Sequence, residues 1–257
     1  MSLWLLGILL ILEKVTGLRT ISIIFINTVY QKKQQMKKKK VDYTLYLVTD
    51  HEAMSTGTLN EAVELAILGG CTMVQLREKN MVSSEFYKQA VAIKEITDKY
   101  SVPLIINDRL DIALAVNAAG VHIGQRDLPA VAVRKIIGDN MLLGVSVASV
   151  KEAEYAMKDG ADYLGVGAMF PTSTKADADH VTMAELRKIR NAVDLPIVVI
   201  GGINKNNANI FRTIGIDGLA VVSAVIAQRD IKKAATEIKN SFMKTKSVSF
   251  EHLPPVQ

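Results

Sequence analysis

Eight short apolar runs, spaced between amphipathic stretches, constrain this chain more than any other feature. They cover residues 44–49, 72–76, 104–107, 120–123, 142–146, 163–167, 197–200 and 218–222. Each is too short to be a buried helix, and several are rich in Val and Ile, as strands covered on both faces are. Between them the apolar positions recur with helical spacing. Leu59, Ala62, Val63, Ala66 and Ile67 follow a 3.6-residue repeat, as do Phe86, Ala90, Ile93, Ile96 and Thr97, and later Met183, Leu186, Ile189 and Val193. Such alternation predicts an α/β protein with a parallel sheet, and eight units predict a closed (β/α)8 TIM barrel. A doubly wound open sheet is the competing architecture. It would want a glycine-rich turn after the first strand, but that strand runs into Val48-Thr49-Asp50-His51-Glu52.

The barrel rhythm begins only after residue 40. The first forty residues hold eight Lys/Arg and one acid, a charge of +7, so the remainder carries −2 of the total +5. The high isoelectric point therefore belongs to the leader, and nucleic-acid binding by the main domain loses its support. Residues 3–12 and 21–29 are apolar, but neither run reaches the ~20 residues of a membrane span. The basic cluster follows the apolar run, which does not fit a signal peptide. Two readings remain: a membrane-surface anchor with its lysines on anionic lipid, or translation that starts at Met36. The second is favoured, with a cytoplasmic location. The expected organisation is a leader over 1–40, one catalytic barrel over 41–243 and a loose tail over 244–257. One cysteine, Cys71, excludes an intrachain disulfide and reads as a small buried hydrophobe.

Barrel chemistry sits at the carboxyl ends of the strands. Polar and basic groups gather there: Gln75 to Lys79 after the second strand, Asn107 and Asp108 after the third, Asp127 after the fourth, and Ser146 at the end of the fifth. Thr172, Ser173, Thr174 and Lys175 follow the sixth, Gly201-Gly202 the seventh, and Val222-Ser223 the eighth. Gly201-Gly202 followed by a helix, with Ser223 opening another, reads as a phosphate seat, or else as two tight turns. Asp108 and Asp127 follow adjacent strands and suit a Mg2+ ion shared with substrate phosphates; helix capping is the structural alternative. Arg77 and Lys79 from one loop and Lys175 from another share one rim and fit a diphosphate. Ser146 has no base beside it in sequence and reads as a hydrogen-bond donor. His122 is expected to face the barrel axis, either packed and satisfied or in contact with a ligand.

The motifs Asn107-Asp108-Arg109-Leu110-Asp111 and Gly120-Val121-His122-Ile123-Gly124-Gln125-Arg126-Asp127 resemble those of the thiamine-phosphate synthases. So do Gln75-Leu76-Arg77-Glu78-Lys79, Phe170-Pro171-Thr172-Ser173-Thr174-Lys175, Ile200-Gly201-Gly202-Ile203 and Val221-Val222-Ser223-Ala224. The resemblance implies a transferase that joins 4-amino-2-methyl-5-(diphosphooxymethyl)pyrimidine to thiazole phosphate and releases diphosphate. It implies that Gln75, Leu76, Arg77, Glu78, Lys79, Asn107, Ser146 and Lys175 bind the pyrimidine diphosphate, and that Asp108 and Asp127 hold Mg2+. Thr172, Ser173 and Thr174 would meet the thiazole, and Gly202, Val222 and Ser223 its phosphate. Catalysis would fall to Arg77, Lys79, Lys175 and Ser146 through stabilisation of the departing diphosphate. The chain departs from the family pattern at Ala148, where a histidine is usual, and at Ala168, often a proline. A thiazole tautomerase of the same family, and a non-catalytic barrel that binds phosphorylated thiazole, are the rival functions. The partners implied are small molecules, and a homo-oligomer is compatible with the sequence.

Overall fold

The computed structural model describes residues 41–172 and 180–243. Eight parallel strands close into a barrel in sequence order. They are β1 (Leu45–Val48), β2 (Met73–Leu76), β3 (Leu104–Asn107), β4 (Gly120–Ile123), β5 (Leu142–Val147), β6 (Tyr163–Val166), β7 (Ile197–Val199) and β8 (Gly218–Val221). Each lies where an apolar run predicts it. The barrel closes through β1 against β8, with Leu45 opposite Leu219 and Leu47 opposite Val221. The expected (β/α)8 architecture is the observed one.

Two periodicities build the core. Along each strand, alternate residues point outward to the helices: Leu45 and Leu47, Val74 and Leu76, Leu104 and Ile106, Val121 and Ile123 all join the layer between sheet and helices. Their neighbours, including Tyr46, Gln75, His122 and Ser146, line the space inside the barrel. The period of two thus decides which residues hold the fold and which meet a ligand.

The surrounding helices are α1 (Leu59–Leu68), α2 (Ser83–Lys99), α3 (Leu110–Ala115), α4 (Ala130–Ile137), α5 (Val150–Lys158), α6 (Met183–Ala192), α7 (Ser223–Ile226) and α8 (Ile231–Met243). The stripe Leu59, Ala62, Val63, Ala66 and Ile67 is buried along α1. Phe86, Ala90, Ile93 and Thr97 are buried along α2, and Leu186 and Ile189 along α6. Three helices start with the same device. Thr58, Ser149 and Thr182 each accept a hydrogen bond from the backbone N–H of a glutamate three residues on: Glu61, Glu152 and Glu185. An N-cap of this kind is worth about 1 kcal/mol.

The segment after β7 differs from expectation. In place of an α-helix it forms a 3-10 helix over Ala208–Thr213. The asparagines ahead of it occupy the backbone groups that a helix would use. Asn207 Oδ1 accepts from Asn204 N–H at 2.8 Å, Asn204 Oδ1 accepts from Asn206 N–H at 2.9 Å, and Asn207 Nδ2 donates to Gly202 O at 3.0 Å. Short polar side chains compete with helical hydrogen bonding in this way. Among the described residues, no helix is long and apolar enough to cross a membrane.

Candidate functional site

A cavity of about 470 Å³ opens at the carboxyl ends of the strands. Gln75, Arg77 and Lys79 reach it from β2 and its loop, Asn107 and Asp108 from β3, and His122 and Asp127 from β4 and its loop. Ser146, Thr172, Gly202, Val222 and Ser223 line the rest of its wall. The structure therefore gathers most of the residues singled out in the sequence around one cavity. Ser173, Thr174 and Lys175 lie outside the described residues.

Leu76 and Glu78 are not brought to the cavity. Leu76 is buried against the helices, because it sits on the outward phase of β2. Glu78 is buried behind the loop: it accepts from Thr49 Oγ1 at 2.8 Å and pairs with His51 Nδ1. Thr49 Oγ1 also accepts from the backbone N–H of Arg77 at 3.0 Å. The alternation expected of a strand thus continues through Arg77-Glu78-Lys79, with the two cations toward the ligand and the acid toward its own supports. The Glu78 carboxylate raises the pKa of His51 through their hydrogen bond.

Asp108 and Asp127 meet across the β3 and β4 loops. Asp108 adopts φ 60°, a left-handed conformation that aspartate tolerates better than most residues. It does not cap α3, whose N-cap is Arg109, with no side-chain cap bond. Asp127 Oδ2 accepts from the backbone N–H of Gly124 at 2.6 Å. Burial first, and then the hydrogen bond and charge of Asp127, push the Asp108 carboxyl up to about 6, while Lys79 and Asn107 pull it down. Two acids held this close repel each other unless a proton or a cation sits between them. Two carboxylates with open positions suit Mg2+, which takes its remaining ligands from water and phosphate oxygens. Among the described residues no cluster of three or more His, Cys, Asp or Glu forms a complete protein cage for a metal. The residues fit a cation shared with a ligand.

The opposite wall is backbone. Gly201 and Gly202 have φ 102° and 62°. A Cβ on Gly202 would lie 2.7 Å from both Phe170 Cβ and Pro171 O. Glycine is thus needed there for close packing on the β6 loop as well as for its backbone angle. Ser223 opens α7 with no side chain capping that end. Ala168 lines the cavity, whereas Ala148 does not and donates its backbone N–H to Glu152 Oε2 at 2.6 Å.

The structure adds contacts that the sequence does not announce. His122 Nε2 lies 2.9 Å from Ser146 Oγ, so Ser146 does have an imidazole beside it, although the two are 24 residues apart. His122 Nδ1 lies 3.1 Å from Tyr163 Oη, which lies 2.9 Å from Tyr46 Oη. Tyr46 Oη in turn accepts from Gln75 Nε2 at 2.8 Å. The period-two phase shared by Tyr46, Gln75, His122 and Tyr163 was the available signal, since it turns all four inward.

A family model described as thiamine monophosphate synthase matches residues 45–225. A thiamine-phosphate synthase of Clostridium beijerinckii is 65% identical over 207 residues, which is 80% of this chain and 99% of that protein. One from Ruminiclostridium cellulolyticum is 61% identical over 206 residues, covering 80% and 98%. Among solved structures, a thiamine phosphate pyrophosphorylase from Pyrococcus furiosus superposes with a TM-score of 0.73 at 40% identity, covering 79% of this chain and 96% of that one. A 3-hexulose-6-phosphate synthase, at 16% identity and a TM-score of 0.56, shares the fold alone.

Proposed function

Since the chain belongs to the thiamine monophosphate synthase family and is a transferase that forms thiamine phosphate, we propose that its cavity joins the pyrimidine diphosphate to thiazole phosphate by dissociative loss of diphosphate. The observation that carries this reading is the charge layout of the rim. Arg77, Lys79 and Asn107 line the cavity together with the paired acids Asp108 and Asp127, Lys79 and Asn107 acting directly on Asp108, and the Gly202 and Ser223 turns line it as well. A thiazole tautomerase or a simple thiazole phosphate binder would have no use for the first of these groups.

In this reading the bond between the pyrimidine methylene carbon and the diphosphate oxygen breaks first, and the electron pair leaves with diphosphate. Arg77 and Lys79, joined by Lys175 on the strength of the family motif, hold the charge that develops on the leaving group. Gln75 orients the pyrimidine, Ser146 donates a hydrogen bond to the leaving group and Asn107 steadies the diphosphate. The thiazole nitrogen then attacks the methylene carbon, with Thr172, Ser173 and Thr174 at the ring and Gly202, Val222 and Ser223 at the phosphate. No side chain forms a covalent bond, so positioning and charge stabilisation do the chemistry. Asp108 and Asp127 would hold Mg2+, which when bound neutralises charge on phosphate oxygens.

The test is product formation by the metal-stripped protein given both substrates, with and without Mg2+, alongside Asp108→Ala and Lys175→Ala. Mg2+-dependent thiamine phosphate, sharply reduced in both variants, is the expected result. Isomerisation of thiazole phosphate without the pyrimidine substrate would favour the tautomerase. Binding of thiazole phosphate by a folded protein with no turnover would favour the sensor.

A further inference from the structure

The barrel interior holds a continuous line of polar side chains: Gln75, Tyr46, Tyr163, His122 and Ser146, from five different strands. Tyr46, Gln75, Tyr163 and His122 are all buried. We propose that this line is a directional hydrogen-bond relay in which Tyr46, Tyr163 and His122 act as positioning residues that fix Ser146 as a hydrogen-bond donor to the ligand. The proposal rests on the reading above that Gln75 and Ser146 face the pyrimidine diphosphate.

Direction follows from counting hydrogens. A tyrosine hydroxyl has one proton to give. Tyr46 Oη receives an N–H from Gln75, so its own proton goes to the other partner, Tyr163 Oη. Tyr163 Oη then gives its proton to His122 Nδ1. A neutral imidazole that accepts at Nδ1 carries its proton at Nε2. That Nε2–H points at Ser146 Oγ, and the serine hydrogen is left for a ligand. With Gln75 Nε2 facing Tyr46 Oη, the reverse order would bring two donors to that oxygen and leave its buried proton without an acceptor; only an amide turned to present Oε1 would run the line the other way, and the His122 tautomer distinguishes the two.

Polarity decides what the His122–Ser146 pair can do. A histidine whose Nε2 is protonated cannot take the serine proton, so Ser146 is not activated as a nucleophile. It presents an O–H instead, the group that an anionic leaving oxygen needs. The path is also built by glycines. A Cβ on Gly144 would lie 2.3 Å from Tyr163 Oη and 2.4 Å from His122 Nδ1, and one on Gly165 would lie 3.0 Å from His122 Cε1. Any side chain at position 144 would sit where the Tyr163–His122 hydrogen bond runs.

The chain has four histidines, so 15N-histidine labelling of the whole protein resolves each imidazole, with His122→Gln for assignment. Expected in the ligand-free protein is a neutral His122 protonated at Nε2. A proton on Nδ1, alone or as imidazolium, overturns the relay whatever the enzyme does. Tyr163→Phe removes the hydroxyl and keeps the ring. It should abolish the pure Nε2–H form and lower kcat about tenfold, with KM for the pyrimidine diphosphate within about twofold. In a Ser146→Ala background the same change should cost less than about twofold, because its effect passes through Ser146. An equal loss in both backgrounds overturns the proposal. Should Tyr163→Phe not fold, the wild-type tautomer still decides, and Tyr46→Phe should reproduce the pattern more weakly. An Nε2–H tautomer together with a fully active Ser146→Ala variant would uphold the relay's direction and overturn the placement of Ser146 beside the substrate.

Discussion

The two ends of the barrel treat their aspartates in opposite ways. At the amino-terminal end of the strands, Asp162 accepts from the backbone N–H of Leu143 at 2.8 Å and from Arg134 at 2.5 Å. Arg134 also ties down the carbonyls of Gly138, Met141 and Gly160. Asp217 accepts from Ile197 N–H at 2.8 Å and faces Arg190. At the carboxyl-terminal end, Asp108 and Asp127 face each other, and the Asp108 carboxyl is pushed up to about 6. The same side chain closes the fold at one end and stores unfavourable charge at the other. Strain of this kind persists where a ligand relieves it, and the remaining structure supplies the stability that permits it.

Substitutions at the two ends should therefore affect different observables. The largest effect is expected for Lys79→Ala. Loss of one charge-stabilising group should lower kcat by roughly 100- to 1,000-fold, by analogy with removal of an oxyanion donor, with the melting temperature nearly unchanged. Steady-state kinetics with calorimetry checks both halves, and a stability loss without a rate loss would break the comparison. The next effect is Asp162→Ala. It strands a largely buried arginine and should cost about 3 kcal/mol, or roughly 6–12 °C in Tm, with kcat per folded molecule preserved. A large drop in kcat there would mean that the lower end is coupled to chemistry after all.

The fold was legible in the sequence because each strand writes its burial into a short, mostly apolar run of three to six residues, and each helix repeats its stripe. The cavity wall was legible for a related reason. Barrel topology turns "follows a strand" into "faces the rim", so the positions of Arg77, Asp108 and Asp127 follow from the sequence. Glu78 was harder. A motif read as a block assigns all of Gln75 to Lys79 to one ligand, whereas strand alternation sends Leu76 into the helix layer and Glu78 to Thr49 and His51. The His122–Ser146 pair and the Tyr46–Tyr163 contact join residues 24 and 117 positions apart, and only barrel closure and register bring them together. Thr58, Ser149 and Thr182 each begin an S/T-x-x-E pattern that the hydrophobic periodicity does not use, and it marks helix starts that periodicity locates only loosely.

A smaller effect, opposite in sign, sharpens the contrast. Asp108→Asn removes one of two facing carboxylates from a half-buried site. The metal-free variant should be more stable than the wild type by roughly 1 kcal/mol after allowance for solvent screening, or about 2–4 °C. It should also lose most of the stabilisation that Mg2+ gives the wild type, because one of the proposed ligands is gone. Thermal melts of both proteins with and without Mg2+ read the two changes together. Equal or lower stability in the variant would mean that the charge of Lys79 and the hydrogen bond from Asn107 already offset the repulsion between the acids.

The smallest effect concerns Glu78, a carboxylate near the rim that is already paired. Glu78 raises the pKa of His51 above its ordinary 6.5, chiefly through their hydrogen bond and with smaller contributions from the charges of Glu78, Glu52 and Asp50. A histidine whose folded pKa is raised contributes stability that is fully present below its unfolded pKa and is lost as pH rises through the folded one. The Tm gap between wild type and His51→Ala should therefore be widest below about pH 6.5 and narrow as the pH climbs above it. Because His51 is exposed, the gap should stay near about 1–2 °C even at its widest. A gap that widens with pH would show that Glu78 is not the partner of the charged imidazole. The paired acid behind Arg77 and Lys79 would then belong with the uncompensated charges of the rim, and Thr49 alone would hold that loop.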